Sequence, residues 1–111
     1  QHKIEKYKNA HFRAPMIIIL ISTITDHPKV PEIEQVMSTA AAAQNILLAL
    51  NALKFGGMWR TGALALNAKI SNHLGLDENQ KVLGYLYVGT TEGSEKRIRE
   101  LNPDDFITKW E

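Results

Sequence analysis

Wound into a helix, the stretch from Ala40 to Leu53 has no wet face: it is apolar nearly all round, interrupted only by Gln44, Asn45 and Asn51. A helix of that kind has to be buried. A chain of 111 residues forms one domain at most, and it has difficulty covering such a helix on every side. The run Ala40–Ala43 lets a second backbone approach closely, so a partner subunit is one natural source of cover. The three amides would then need hydrogen-bond partners inside the subunit or across a two-fold axis. The rest of a larger domain lying outside this sequence is the other source.

The neighbouring segments give the helix its setting. Pro31 followed by Glu32 and Glu34 is a helix start, since proline suits the first turn and acids favour the positive end of the dipole. The helix is predicted from there to about Lys54, roughly 35 Å at ~1.5 Å per residue. Residues 1–9, with Ile4 and Tyr7 three apart, suit the exposed end of an amphipathic helix or a frayed terminus. Ala14-Pro15 closes that segment. Met16 to Thr25, rich in β-branched residues and without polar alternation, predicts a strand buried on both faces at the centre of a sheet. Asn67 can cap a short helix ending at Leu74, with Gly75 in the left-handed position. Lys81 to Gly89 reads as another strand. Thr90 to Glu111 reads as an extended arm that Phe106 and Trp110 could pin onto its own subunit or a neighbour.

Composition excludes several function classes. Thirteen basic residues against twelve acidic ones leave a net charge of +1, which gives no electrostatic case for nucleic acid. Without cysteine there is no disulfide framework, thiolate metal site or thiol catalysis, in keeping with a cytoplasmic protein. His2, His11, His27 and His73 are scattered without ligand spacing, so no metal site is expected. The longest strongly apolar run, Met16 to Ile21, is far too short to span a bilayer. The start at Gln1, with no initiator methionine and no signal-peptide pattern, suggests part of something longer or processed.

Behind the helix stands Phe55-Gly-Gly-Met-Trp-Arg-Thr-Gly62. Glycines at both ends let main-chain N–H groups come close to a flat polar ligand. Trp59 offers an apolar face and Arg60 a rigid fork of donors. The plainer reading is a Gly-Gly helix cap followed by a core tryptophan entering a strand. Lys96, Arg97 and Arg99 could reach a phosphate, but Glu92, Glu95 and Glu100 beside them read as a balanced, solvated cluster.

Taken in order, the Ala-Pro-apolar strand, the Pro-Glu helix through Ala-Ala-Ala-Gln-Asn-Ile-Leu-Leu-Ala, Phe-Gly-Gly-Met-Trp-Arg-Thr-Gly and Leu-Gly-Tyr-Leu-Tyr-Val-Gly resemble the flavin-dependent nitroreductase family. The nearest likeness is to the small bacterial NAD(P)H enzymes that carry Trp-Arg-Ser/Thr-Gly. The resemblance runs from about Ala10 to Gly89. It implies an α+β fold with a central, mostly antiparallel sheet between helices, assembled as an intertwined homodimer through a long central helix. It also implies FMN at the subunit interface, with Trp59, Arg60 and Thr61 lining the flavin and Gly57 and Gly62 shaping the turn. A main-chain N–H there would face the ring nitrogen that accepts hydride, a fixed donor where charge develops.

The activity so implied is electron transfer from NAD(P)H through FMN to a small-molecule acceptor such as a nitro compound or quinone. The flavin would carry the chemistry, so no catalytic acid–base pair is sought among Glu32, Glu34, Asp104 and Asp105. Family members begin with an Arg-Arg-Ser type segment that grips the FMN phosphate, and nothing here matches it. Residues 1–111 therefore look like the C-terminal portion of a single nitroreductase-like domain, not expected to hold FMN tightly alone. The rival is a non-catalytic dimerisation or scaffold domain without flavin.

Overall fold

The computed structural model describes the backbone of residues 2–94 and 97–110, with side chains from residue 4 onward. Helix α1 (His2–Lys8) leads into a 3₁₀ turn at Ala10–Arg13. Ala14 is then extended at φ −147°, ψ 151°, the geometry that the following proline favours. Strand β1 (Met16–Thr23) follows, then a loop and helix α2 (Glu32–Ala52), strand β2 (Gly56–Arg60), two short helices α3 (Gly62–Ala65) and α4 (Ala68–His73), and strand β3 (Gln80–Gly89).

The three strands form an antiparallel sheet in the order β1-β3-β2, with α2 packed across it, so the fold is α+β. One expectation is corrected. Among the described residues β1 lies at an edge, and β3 holds the central place. The isoleucines Ile17, Ile18 and Ile19 are only half-buried, whereas Val82, Gly84, Leu86 and Val88 of β3 are buried in strict alternation. A run of β-branched residues marks a strand but does not rank it within the sheet.

Cross-strand register divides the side chains between two faces. Toward α2 lie the rows Ile18–Leu86–Trp59 and Met16–Val88–Gly57, and Leu20 opposite Gly84. There Leu20, Ala43, Leu86 and Val88 form the core, with Ile46, Leu47, Leu50 and Trp59 packed on it. The opposite face carries Ile19–Tyr85–Arg60 and Ile17–Tyr87–Met58. A bulge in the β1–β3 pairing leaves Leu83 without a partner in β1, because Leu20 pairs Gly84 and Ile21 pairs Val82.

α2 begins after Pro31 as the sequence predicts and ends at Ala52. Its end differs from the expected glycine cap. Lys54 takes the left-handed position (φ 66°), while Phe55 N donates to Leu50 O at 2.8 Å. Gly56 and Gly57 are thereby free to enter β2, where Gly57 lies directly beneath the helix. A Cβ on Gly57 would come within 2.8 Å of Leu47 Cδ2 and 3.1 Å of Leu50 Cδ1.

Within this chain α2 is covered along one line only. Ala43 is 0% exposed, while Met37 and Leu48 on another face are 61% and 59% exposed. Asn67 caps α4 by accepting from Lys69 N at 3.0 Å, and Gly75 follows at φ 68°, both as the sequence predicts. The arm beyond β3 carries a 3₁₀ turn at Pro103–Asp105. Its aromatics are not pinned on this subunit, since Phe106 and Trp110 are 72% and 102% exposed. Of the charged cluster on the arm, Arg97, Arg99, Glu92 and Glu100 are exposed, and Glu95 and Lys96 lie outside the described residues. Among the described residues no helix is long and apolar enough to cross a membrane, and no three His, Asp or Glu residues are placed to hold a metal.

Candidate functional site

The face of the sheet away from α2 is open, and there the walls of a concavity of about 330 Å³ converge. Strand alternation sets Tyr85 and Tyr87 on its floor, since residues two apart share a face. Arg60 borders it from β2, opposite Tyr85 in the register. Thr61, Gly62 and Leu64 continue the wall into α3, and Lys6, Tyr7 and Arg13 close it from the N-terminal segment. Among the described residues, three cations and no carboxylate line this hollow. Among the described residues, the only ion pair joins Lys81 to Glu32 on the far side of the sheet. A neighbouring hollow shares Tyr7, Leu64, Tyr85 and Tyr87 and adds the apolar Ile17, Ile19 and Ile70. The cleft thus has a cationic end and an apolar end, with tyrosines between them.

Burial, and secondarily the nearby Tyr87, pushes the Tyr85 hydroxyl above its ordinary value. Its O–H points to Leu64 O at a long 3.4 Å.

The five residues singled out from sequence separate into two groups. Arg60, Thr61 and Gly62 lie on the wall of the concavity. Arg60 is exposed, its Nε donating to Met58 Sδ at 3.2 Å. Gly62 has φ 62°, and a Cβ there would meet nothing within 4 Å, so the main chain at this turn is open to close approach. Trp59 and Gly57 face α2 and not the concavity. The indole of Trp59 lies over Gly84, which has no side chain to obstruct it. Gly57 sits in a strand and not in the turn it was expected to shape; its role is to let α2 come close.

Lys6, Tyr7, Arg13, Tyr85 and Tyr87 were not anticipated in this role. For the tyrosines a signal existed, because their spacing of two in a strand fixes a common face. For Lys6 and Arg13 none did, since only the fold brings the first residues beside β3.

A family model described as the nitroreductase family matches residues 1–90. The YdjA protein of Escherichia coli (strain K12), named for a provisional NAD(P)H nitroreductase activity, is 38% identical over 106 residues, covering 95% of this chain and 58% of its own length. A nitroreductase-like family protein from Bacillus cereus superposes with a TM-score of 0.76 at 20% identity, over 98% of this chain and 61% of that one. A Bacteroides fragilis nitroreductase with bound FMN gives a TM-score of 0.64 at 25% identity, over 91% of this chain and 54% of that one. The chain belongs to the nitroreductase family. It spans a little under three fifths of the Escherichia coli relative it matches.

Proposed function

We propose that this nitroreductase-family chain supplies part of the site of an FMN-dependent oxidoreductase that passes reducing equivalents from NAD(P)H to a nitro compound, a quinone or a similar acceptor. One observation carries the reading: the Arg60–Gly62 turn, with its open main chain, borders a cleft that combines three cations with a tyrosine floor. A flat ring bearing a phosphate group matches that set in shape and charge. The FMN held by the Bacteroides fragilis relative is such a molecule.

In this arrangement the residues divide the work of binding. Arg60 gives a planar fork of donors to an anionic or carbonyl edge. The main chain at Thr61 and Gly62 offers donors that cost no reorganisation when charge develops opposite them. Lys6 and Arg13 hold negative charge at the same end, and Tyr85 and Tyr87 present an apolar floor. Gly57 and Trp59 act from beneath, through packing. FMN, when bound, supplies the hydride and electron transfer itself.

The exposed apolar stripe of α2, with Ile33, Met37 and Leu48, supports a homodimer packed through this helix. A second copy would also give the aromatic arm a surface to rest on.

The test is the visible spectrum of the native protein, with NAD(P)H oxidation followed in the presence of a nitroaromatic or a quinone. Flavin bands and acceptor-dependent oxidation are the expected result. A colourless protein that gains no bands on addition of FMN would overturn the reading and favour a scaffold without cofactor.

A further inference from the structure

We propose that Thr61 is a positioning residue, whose hydroxyl ties the Trp59 indole to the bulge of β3 and so fixes the Arg60–Gly62 main chain along the cleft. The inference rests on the flavin reading above and adds to it how the site is held in shape.

The hydroxyl does two things at once. It donates to Leu83 O at 2.8 Å and accepts from Trp59 Nε1 at 3.1 Å. The Leu83 carbonyl lies where β2 has run out, because the β2–β3 register ends with Arg60 opposite Tyr85. A side chain thus supplies the donor that the ladder no longer provides. The indole, for its part, is confined over Gly84, where a Cβ would overlap Nε1 and lie 2.9 Å from Arg60 O and 3.0 Å from Thr61 Oγ1. Gly84, Trp59, Arg60 and Thr61 therefore meet at one point of close packing.

The backbone of Thr61, at φ −99° and ψ −89°, belongs to neither strand nor helix, and Gly62 turns it at φ 62°. The corner lies between the last pair of β2 and the first turn of α3, and the hydroxyl bridge ties it to β3; the hydroxyl's donor and one acceptor position are thereby engaged within the protein. Thr61 thus serves the ligand through its main chain while its side chain braces the corner.

The test uses Thr61→Val, which keeps the shape and removes the hydroxyl, and Thr61→Ser, which restores it. In the flavin-free protein the indole N–H of Trp59 is distinguishable from that of the exposed Trp110 by hydrogen exchange. Exchange at Trp59 is expected to accelerate in Thr61→Val and to stay near wild type in Thr61→Ser. Two solvent-exposed hydrogen bonds, taken at the low end of their usual worth, correspond to about a five- to tenfold loss of FMN affinity in Thr61→Val, with Thr61→Ser recovering it. Trp59→Phe combined with Thr61→Val should cost less than the sum of the two single changes, since the indole–hydroxyl bond they share is lost only once.

Unchanged indole exchange in Thr61→Val overturns the bridge. Equal FMN affinity in Thr61→Val and wild type, or full additivity with Trp59→Phe, overturns the positioning role while the flavin reading stands. A wild-type protein that takes up no FMN sinks the flavin reading itself, and the exchange rates then decide the bridge alone.

Discussion

Replacing Gly84 by alanine probes the point where the core and the cleft wall meet. The new Cβ would overlap the Trp59 indole nitrogen and press on Arg60 O at 2.9 Å and Thr61 Oγ1 at 3.0 Å. None of these can retreat cheaply. The indole is packed against the core cluster that contains Leu86, Arg60 O belongs to the main chain, and Thr61 is tied to Leu83. Overpacking of this kind costs about 1–3 kcal/mol. Displacing the indole also breaks its bond to Thr61, worth a further ~0.5–1.5 kcal/mol. Against this, alanine in a strand interior recovers about 0.5–1 kcal/mol relative to glycine. The net expectation is a loss of roughly 0.5–4 kcal/mol, which at a urea slope of ~1–3 kcal/mol per M lowers the midpoint by about 1 M at mid-range. Gly56→Ala is the internal control, because its Cβ would find ordinary contacts of 3.4 Å and beyond. Urea unfolding followed by tryptophan fluorescence measures both variants. A Gly84→Ala protein as stable as Gly56→Ala would refute the packing argument, and with it the place assigned to the indole.

Other perturbations test separate parts of the structure. Gly57→Ala should lose about 1–2 kcal/mol by overpacking against Leu47 and Leu50; Leu47→Ala in the same chain should relieve part of it, and simple additivity in a thermal-melt cycle would contradict the contact. Because the Tyr85 hydroxyl titrates above its ordinary value in the folded protein, folding binds its proton more tightly. Its contribution to stability is therefore complete below the unfolded value of 10.0 and is lost as pH rises through the higher folded value. Tyr85→Phe should flatten that alkaline decline in chemical unfolding curves, and an unaltered decline would remove Tyr85 as its source. Met37→Glu with Leu48→Glu, both exposed on the lone subunit, should leave the secondary structure intact and, on the proposed α2 dimer, shift the mass in light scattering from dimer to monomer. A dimer that persists in the double variant would move the subunit contact away from α2.

Much of the local structure was legible because each element carries its own punctuation. Pro31 with two acids, Asn67 with Gly75, and Ala14-Pro15 are short-range signals, and each stands where the chain folds accordingly. The rank of β1 was not legible, since Ile17 to Ile21 look the same whether one neighbour or two will pair with them. The glycine pair misled for a related reason. After a helix it predicts a cap, but Lys54 accepted the left-handed geometry, and the space beneath Leu47 and Leu50 needed a residue without a side chain. At the candidate site the turn residues were visible as a motif. Their separation into a cleft-facing Arg60–Gly62 and a core-facing Gly57 and Trp59 follows from strand alternation once β2 is known to begin at Gly56. Lys6 and Arg13 required the tertiary fold.

The order of the sheet also sets a timetable. Thr23 pairs Gln80 and Met16 pairs Val88, so the isoleucine strand is synthesised on the order of 60 residues before the strand that satisfies it. At ~5–20 residues per second that interval is about 3–12 s. β2 waits for the same event, because among the described strands it too pairs only with β3. Until the last strand leaves the ribosome, Ile17-Ile-Ile-Leu-Ile21 is an unpaired, uncharged segment of the kind that self-associates. Slow translation between α4 and β3 would lengthen this exposure without altering any contact of the finished fold. Yield in the cell should therefore respond to chaperone supply and to codon choice over residues 74–89.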